Sequence, residues 1–207
     1  MAGPQRGELT DEALMARYQR GDLTALASLV ERHKTPLFNF VLRQLRTPPA
    51  AEDLVQEVFV RVIESASSFK HEAKFTTWAY TIARNLCIDH LRKASHRRHA
   101  SLDQRDRSEP SDGPTLGEQI ADLHPRASTE RAAASSEIQV KVAAAVEALP
   151  GEQREVFLLR HVANLPFQEI ALITGTPENT VKSRMRYALE RLQEALTDFE
   201  EYARALR

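Results

Sequence analysis

The sequence has little cysteine, little glycine and no long apolar run. Cys87 is the one cysteine among 207 residues, which excludes an internal disulfide and a cysteine-rich zinc site. No apolar run approaches the roughly 20 residues of a membrane-spanning helix, and the N-terminal residues lack the apolar core of a signal peptide. The 7 glycines, beside abundant Ala and Leu, disfavour a β architecture built on tight turns. These absences predict a cytoplasmic, mostly helical protein without membrane insertion.

The chain also lacks a large net charge, because 28 Lys and Arg residues are balanced by 29 Asp and Glu residues. This balance excludes a protein that coats nucleic acid through bulk positive charge. The charge is nevertheless unevenly distributed. Residues 69–99 hold seven Lys or Arg against two acids, whereas residues 101–137 hold eight acids against four Arg. The total charge therefore does not exclude a local basic surface that binds DNA.

Helical periodicity divides the chain into two predicted domains. Apolar residues recur at helical spacing over residues 9–94 and again over residues 136–196. Residues 95–135 lack a sustained period and are rich in Asp, Ser, Pro and Gly, which predicts a flexible acidic linker. Residues 1–8 are predicted to be a flexible tail and residues 197–207 a C-terminal extension. The predicted fold class is all-α, with two small helical domains joined by a flexible linker.

Helix-breaking and capping residues locate several helix ends. Pro36 predicts a kink or a break inside the second helix. Thr47 and Pro48 are typical of an N-cap followed by a proline at the first helical position. A further helix is predicted to begin at Phe75 and to end near Lys93.

Residues 166–193 have the pattern of a helix-turn-helix. Two amphipathic segments flank Gly175, which can adopt the left-handed conformation that a tight turn requires, and Ala171 is small where the helices would cross. Thr176 is the predicted N-cap of the second helix, with Pro177 at the first helical position.

The second helix of this pattern presents polar side chains on one face. Its predicted buried stripe is Val181, Met185, Ala188, Leu189 and Leu192, and the residues that point away from it are Asn179, Lys182, Ser183 and Arg186, with Arg184 at the flank. Amide, hydroxyl and guanidinium groups suit base edges in a major groove, and marginal cations suit phosphates. An ordinary helical hairpin with a solvated charged face would give the same pattern.

Aromatic and basic residues alternate over residues 74–98. Such a segment can bind single-stranded nucleic acid, because bases stack on aromatic rings while phosphates pair with cations. The alternative is that Phe75 and Trp78 are core residues beside a solvated charged face. We interpret Trp78 as mainly structural.

Four segments in register carry a family resemblance. LMARYQRGDLTALASLVERH is similar to region 2.1 of a bacterial RNA polymerase sigma factor of the extracytoplasmic-function (ECF) group. AEDLVQEVFVRV is similar to region 2.2, FTTWAYTIARNLCIDHLRK to regions 2.3 and 2.4, and ALPGEQREVFLLRHVANLPFQEIALITGTPENTVKSRMRYALERL to region 4. The chain resembles this group over nearly its whole length.

The resemblance implies three partners: RNA polymerase core (its beta-prime and beta subunits), promoter DNA and an anti-sigma factor. The core contact would fall on the region 2.2 helix, where Asp53, Gln56 and Glu57 form an outward acidic and amide ridge that fits a basic partner helix. An ordinary solvated helix face would look the same, and Phe59 could equally belong to the core. The implied core-binding residues are Asp53, Gln56, Glu57, Phe59, Val60 and Arg61.

The resemblance also implies two DNA contacts. Capture of unpaired -10 bases would fall on Lys70, Lys74, Arg84, Asn85, Asp89, His90, Arg92 and Lys93. Recognition of the -35 element would fall on Asn179, Thr180, Lys182, Ser183, Arg184 and Arg186, with Arg154 and Arg160 as weaker candidates for phosphate contacts. Asn85 and Asp89, four residues apart, could bond each other or a base.

No set of residues indicates catalysis, a metal site or a cofactor. The scattered histidines lack a ligand pattern, and Cys87 is either a redox-sensing thiol or, as we favour, a small buried hydrophobic residue. Two other functions stay open: a stand-alone helix-turn-helix regulator that binds duplex DNA without polymerase, and a helical adaptor that binds only protein.

Overall fold

A computed structural model describes residues 9–70, 73–102 and 140–205 of the chain. Within these ranges the chain forms eight α-helices, one short 3-10 turn and no strand. The helices are α1 (Asp11–Gln19), α2 (Leu23–Leu45), α3 (Pro48–Glu64), α4 (Phe75–Leu102), α5 (residues 140–148), α6 (Gly151–His161), α7 (Phe167–Thr174) and α8 (Glu178–Ala205), with the 3-10 turn at Ala66–Ser68. The prediction of an all-α fold is confirmed. The predicted tail, residues 103–135 of the predicted linker, residues 136–139 and residues 206–207 lie outside the described residues.

Helices α1 to α4 form the N-terminal bundle around a buried aromatic and aliphatic core. Its largest fully buried side chains are Met15, Leu29, Leu37, Phe40, Val41, Val58, Val62, Phe75 and Tyr80. The ring of Phe40 meets the edge of Tyr80 at 5.3 Å between centroids, which joins α2 to α4. Burial of each of these side chains contributes about 1.5–3 kcal/mol to the stability of the folded state. Because the buried residues come from all four helices, this packing fixes the positions of α3 and α4.

Helix α1 fastens the loop that precedes α4. The side-chain amide of Gln19 donates to the carbonyls of Ala66, at 2.7 Å, and Phe69, at 3.1 Å. The carboxylate of Glu12 accepts from the backbone N–H of Phe75 at 3.1 Å and so satisfies a donor at the first turn of α4. These long-range bonds fix where α4 begins.

Asp11 ties α1 to α2. Its carboxylate accepts from Arg32 at 3.0 Å and lies 2.7 Å from His33 Nε2. Burial alone would raise the pKa of Asp11, but the hydrogen bonds and charges of His33 and Arg32 outweigh it and hold the pKa below its usual value.

The helix boundaries differ from the sequence expectations at three places. Helix α2 continues through Pro36, so of the predicted kink or break the break is wrong and the kink stays a prediction. Buried residues on both sides, such as Leu29 and Phe40, hold the two halves against the bundle. Helix α4 extends past Lys93 to Leu102, into residues predicted as linker. Helix α8 likewise runs to Ala205, into the predicted C-terminal extension. The N1 position of Pro48 is confirmed.

Helices α5 to α8 form the C-terminal bundle. Its core contains Val146, Leu149, Val156, Leu158, Leu159, Ile170, Ile173, Val181, Met185, Ala188 and Leu192. The predicted stripe of α8 is confirmed except for Leu189, which is 47% exposed because it lies at the margin of the contact with α6 and α7.

The two bundles pack against each other. Helix α4 lies against α7 and α2 lies against α6, and the buried apolar residues form one continuous cluster. This contact brings the N-terminal half of α4 next to acidic side chains of the C-terminal bundle.

Candidate nucleic-acid interface

An aromatic cluster supports the start of α4. The ring of Phe69 lies 5.0 Å from Trp78 and 6.3 Å from Phe75, and His33 lies 5.1 Å from Phe75. Phe75 and Phe69 are buried, and Trp78 is half-buried against the core. The structural interpretation of Trp78 is therefore confirmed, since its ring packs against neighbouring rings of the fold.

Helix α4 places most of the predicted -10 residues along one side. At about 100° per residue, Lys74, Arg84, Asn85 and Arg92 fall within one face of the helix. Asp89 and Lys93 lie at its flank, Lys70 precedes the helix in the exposed loop, and residues 71 and 72 lie outside the described residues. His90 falls about 160° from Lys74, on the side of the buried Ala79 and Ala83, and is only half-buried there because α4 has begun to leave the bundle.

The N-terminal half of this face is occupied by the C-terminal bundle. Arg84 Nε donates to Glu155 of α6 at 2.7 Å and its Nη2 lies 3.4 Å from the other carboxylate oxygen. Lys74 donates to Glu169 of α7, and Thr77 donates to the second oxygen of the same carboxylate at 2.7 Å. The hydrogen bond to Glu169 and the negative charge of its carboxylate raise the pKa of Lys74.

The C-terminal half of the face is open. Asn85, Arg92 and Lys93 are exposed, and Arg92 donates to Asp89 at 2.8 Å on the same helix. Asp89 therefore bonds Arg92, three residues on, in the place of the anticipated bond with Asn85. A pair between exposed side chains of this kind contributes about 0–1 kcal/mol, so a nucleic acid could replace it at little cost.

Helix α3 presents the predicted acidic and amide ridge. Asp53 and Gln56 are exposed, whereas Glu57 accepts from Arg61 at 2.8 Å within the helix. The hydrogen bond and charge of Glu57 raise the pKa of Arg61. Val60 is 45% exposed and extends the ridge with an apolar surface.

Phe59 differs from the rest of the ridge. Its ring is half-buried and packs against the hydrophobic core of the bundle, so it supports α3 from inside. Close by, Lys34, Thr35 and Phe38 of α2 and Glu52, Val55 and Gln56 of α3 line an open groove of about 400 Å³. The groove gives the ridge a concave edge between the two helices.

The helix-turn-helix is present with its predicted glycine. Gly175 ends α7 at φ 65°, in the left-handed region, and its N–H donates to the carbonyl of Ala171. The predicted capping by Thr176 is wrong. The carbonyl of Pro177 accepts the first backbone hydrogen bonds of α8, from the N–H groups of Thr180 and Val181. The Thr176 hydroxyl lies 2.8 Å from that of Thr174. The proline thus takes the cap position, and the two hydroxyls bridge the turn.

Helix α8 presents its predicted polar face outward. Asn179, Lys182 and Arg186 are exposed, and Thr180 and Ser183 are half-buried, with Ser183 donating to the Thr180 carbonyl at 2.9 Å. Lys182 pairs with Glu178 at 2.7 Å, one turn away on the same helix. Arg186 stacks over Tyr187, with 4.9 Å from its Cζ to the ring centroid, and lies 3.6 Å from Glu190.

Comparison with known proteins identifies the family of the chain. The family model of Sigma-70 region 2 matches residues 29–97, and that of Sigma-70 region 4 matches residues 139–192. The ECF RNA polymerase sigma factor SigW of Bacillus subtilis (strain 168) is 30% identical over 191 residues, which cover 92% of this chain and 99% of that protein. The chain belongs to the ECF sigma factors. The ECF sigma-E factor of Escherichia coli (strain K12) is 33% identical over 183 residues, covering 88% of this chain and 92% of its relative.

A solved sigma factor has the same fold. RpoE of Bartonella quintana, in a co-crystal structure with the anti-sigma factor NepR, superposes with a TM-score of 0.62 at 24% identity, covering 83% of this chain and 96% of RpoE. At this level of identity the likeness concerns the fold.

Three arginines of this sigma factor are held within the C-terminal bundle. Arg184, predicted to contact the -35 element, donates to Glu152 of α6 at 2.6 Å, and its side chain is 19% exposed. Arg160 donates to the Leu165 carbonyl and braces the turn before α7. Burial lowers the pKa of Arg154, which also lies beside Arg46. The DNA roles of these arginines stay predictions.

The thiol of Cys87, possible metal ligands and possible membrane spans were also considered in the sequence. Cys87 is 3% exposed, and burial, with the nearby charge of Glu155, raises the pKa of its thiol to about 12. The interpretation of Cys87 as a small buried hydrophobic residue is confirmed. Among the described residues no group of three or more His, Cys, Asp or Glu could hold a metal ion. No helix in the described ranges is long and apolar enough to cross a membrane.

Sequence reasoning missed Glu155, Glu169 and Thr77. Glu169 is 8% exposed, an unusual burial for a carboxylate, and nothing in the local pattern of α7 marks its partner, which lies 95 residues away. The available signal was an acidic residue, Glu169, beside the apolar stripe of an amphipathic helix. Such a residue indicates that a cationic partner lies nearby, but it does not identify that partner.

Proposed function

We propose that this ECF sigma factor binds RNA polymerase core through α3, captures unpaired -10 bases along α4 and reads the -35 element with α8. The observation that carries this proposal is the outward face of α8, where Lys182 and Arg186 are exposed directly after the Gly175 turn. A helix presented in this way can enter a major groove, with its polar side chains at base edges and its cations at phosphates.

The core contact is proposed on Asp53, Gln56 and Glu57. These residues lie on an exposed side of α3, and Val60 and Arg61 continue it. An acidic and amide ridge beside an open groove is complementary to a basic helical partner, such as the beta-prime coiled coil of the core enzyme. Phe59 would act indirectly, by supporting the helix.

The -10 contact is proposed on the face of α4 and on Lys70. Arg92 and Lys93 would pair with phosphates, and Asn85 offers an amide to a base. Lys74 and Arg84 belong to the same face but are bonded to carboxylates in this structure. Asp89 and His90 fit less well, because one is paired with Arg92 and the other lies on the bundle side.

The wider biological role follows from these contacts. The protein would act in the cytoplasm, where polymerase and promoters are, and would lower the cost of duplex opening by binding rather than by catalysis. No cofactor is required for this role. An anti-sigma factor is a further proposed partner, since the similar RpoE was solved bound to one.

In vitro transcription tests the proposed function. Purified protein with core polymerase and a set of genomic promoter fragments should give start sites that depend on both components. A stand-alone regulator would instead bind duplex DNA tightly without core and start no transcripts. Absence of core-dependent initiation on every fragment would overturn the proposal.

A charge reversal locates the core contact. The variant Asp53→Lys with Glu57→Lys should lose core binding in a pull-down while keeping the -35 duplex binding of the wild type. The control reverses two other exposed acids, Glu31 and Glu194. Equal loss of core and DNA binding in the first variant would indicate misfolding, and equal behaviour of the two variants would remove the ridge from the interface.

A further inference from the structure

We infer that Gln19 and Glu12 of α1 are positioning residues for the capture of unpaired -10 bases. They act on the capture loop, residues 69–74, which joins the 3-10 turn to α4. This inference rests on the proposed assignment of Lys70 and α4 to the -10 element. Helix α1 carries none of the residues assigned to DNA, yet its side chains hold the capture loop at both ends.

The entrance of the capture loop is fixed by Gln19. Its side-chain amide has two N–H groups, and it donates to the carbonyls of Ala66, at 2.7 Å, and Phe69, at 3.1 Å. The backbone N–H of Phe69 donates to the Ala66 carbonyl at 3.1 Å and tightens the same corner. The ring of Phe69 is buried, whereas the next residue, Lys70, is exposed. The direction in which Lys70 leaves the bundle therefore depends on the corner that Gln19 holds.

The exit of the capture loop is fixed by Glu12. Its carboxylate accepts from the backbone N–H of Phe75 at 3.1 Å, a group at the start of α4 that has no acceptor within the helix. Between the two ends, the N–H of Ala73 donates to the Lys70 carbonyl at 3.0 Å. The ring centroids of Phe69 and Phe75 are 6.3 Å apart, so the ends of the loop lie side by side.

Holding both ends of the loop favours the binding of a single strand. A loop that is ordered before binding loses less conformational freedom when bases bind to it, so more of the interaction energy appears as affinity. The bonds from α1 go to backbone groups, and they set the shape of the loop without adding a contact to DNA. The buried side of α1 is formed by Leu14 and Met15, so substitution of the exposed Gln19 leaves the packing of α1 in place.

Substitutions of similar size separate the hydrogen-bonding roles. Gln19→Met keeps the length of the side chain but removes both donors, so it should release the entrance of the loop. Glu12→Leu removes the acceptor of the Phe75 N–H, whereas Glu12→Gln keeps an oxygen that can accept from it. The matched control is Gln193→Met, at an exposed position of α8.

Binding of DNA by the reconstituted holoenzyme measures base capture. One fork-junction fragment, from a promoter that gives core-dependent start sites, carries the unpaired non-template -10 strand, and a second carries abasic sites in place of those bases. The ratio of the two affinities, measured by fluorescence anisotropy, should fall about five-fold in Gln19→Met and in Glu12→Leu. It should stay within about two-fold of the wild type in Glu12→Gln and in Gln193→Met. A lower amount of folded protein would weaken binding of both fragments equally and leave the ratio unchanged.

The outcomes distinguish this inference from the proposed function. If the wild type initiates transcription and Gln19→Met and Glu12→Leu keep its affinity ratio, the inference alone is overturned. An equal fall in Glu12→Gln and Glu12→Leu would assign the effect to the charge of Glu12 and would overturn its positioning role. If the wild type itself starts no core-dependent transcripts and does not distinguish the two fragments, the proposed function fails and the inference fails with it.

Discussion

The basic faces of α4 and α8 carry similar side chains but differ in what neutralises them. On α8, Lys182 and Arg186 pair with acids one turn away on the same helix. On α4, Lys74 and Arg84 pair with acids that are 95 and 71 residues away. Local pairs between exposed side chains form and break without moving the backbone and contribute about 0.3–0.5 kcal/mol. Pairs between domains, in contrast, can form only while the two bundles are in contact. The α8 face is therefore accessible in this structure, whereas the accessibility of the α4 face depends on how the two bundles are arranged.

The largest effect is expected at the exposed polar face of α8. Arg186→Ala should change the preference among -35 sequences by about 1–3 kcal/mol, because it removes a guanidinium able to bind a base edge at two points. Competition binding with a panel of duplexes measures this preference. Arg184→Ala is the matched control: with its side chain already bonded to Glu152, its loss should weaken binding similarly for all sequences. The same preference in Arg186→Ala and the wild type would show that Arg186 does not read bases.

The turn that aims α8 is the next target. Gly175→Ala should lower the free energy of unfolding by about 1–2 kcal/mol, since an L-residue at φ 65° is strained. A Cβ at Gly175 would meet no atom within 4 Å, so the cost is conformational rather than steric. Gly151→Ala has the same free space without the positive φ and should be neutral or slightly stabilising in urea denaturation. If both variants behaved alike, the left-handed turn would not be the origin of the effect.

A smaller effect is expected at Arg84, on the part of α4 that contacts the C-terminal bundle. Arg84→Leu should lower the free energy of unfolding by about 1 kcal/mol, because Glu155 loses its hydrogen-bond partner. The cost of desolvating Glu155 is limited, since separation of the domains would return its carboxylate to water. Arg92→Leu, which breaks a pair within one helix, should change it by less than about 0.5 kcal/mol. Denaturation monitored by circular dichroism compares the two. A larger loss in Arg92→Leu would contradict the distinction drawn between long-range and local pairs.

At neutral pH the smallest effect is expected from the titration of Cys87, a residue of α4 that lies near Glu155 of α6. Because the pKa of its thiol is raised to about 12 in the folded protein, the thiol stays neutral in both states below about pH 8 and has no effect on the pH dependence there. Above the unfolded pKa, near pH 8.5, the unfolded state loses the proton first, so stability falls as the pH rises. Comparing the urea midpoints of the wild type and Cys87→Ala at about pH 7 and pH 10 isolates this contribution. Rapid alkylation of the native thiol at neutral pH would contradict its burial.

The elements and the two surfaces could be predicted from the sequence because their signals are local. Helical spacing located the helices, and the left-handed Gly175 located the turn. Residues whose environment depends on segments far away in the sequence were harder to predict. Helix α2 continues through Pro36 because tertiary packing outweighs a local breaker, and Arg184 turns inward because Glu152 of α6 is within reach. The bonds of Lys74 and Arg84 to the C-terminal bundle depend on how two domains meet, and no spacing along one helix encodes that.

The position of Glu169 in the first turn of α7 has a consequence for how the domains part. A carboxylate at the start of a helix interacts favourably with the helix dipole, so Glu169 keeps one stabilising interaction after it leaves Lys74. Lys74 is 64% exposed while paired and is already largely hydrated. Neither charged group is therefore left buried without a partner when this contact opens. The ion pair between the bundles can form and break without the penalty of an unpaired buried charge.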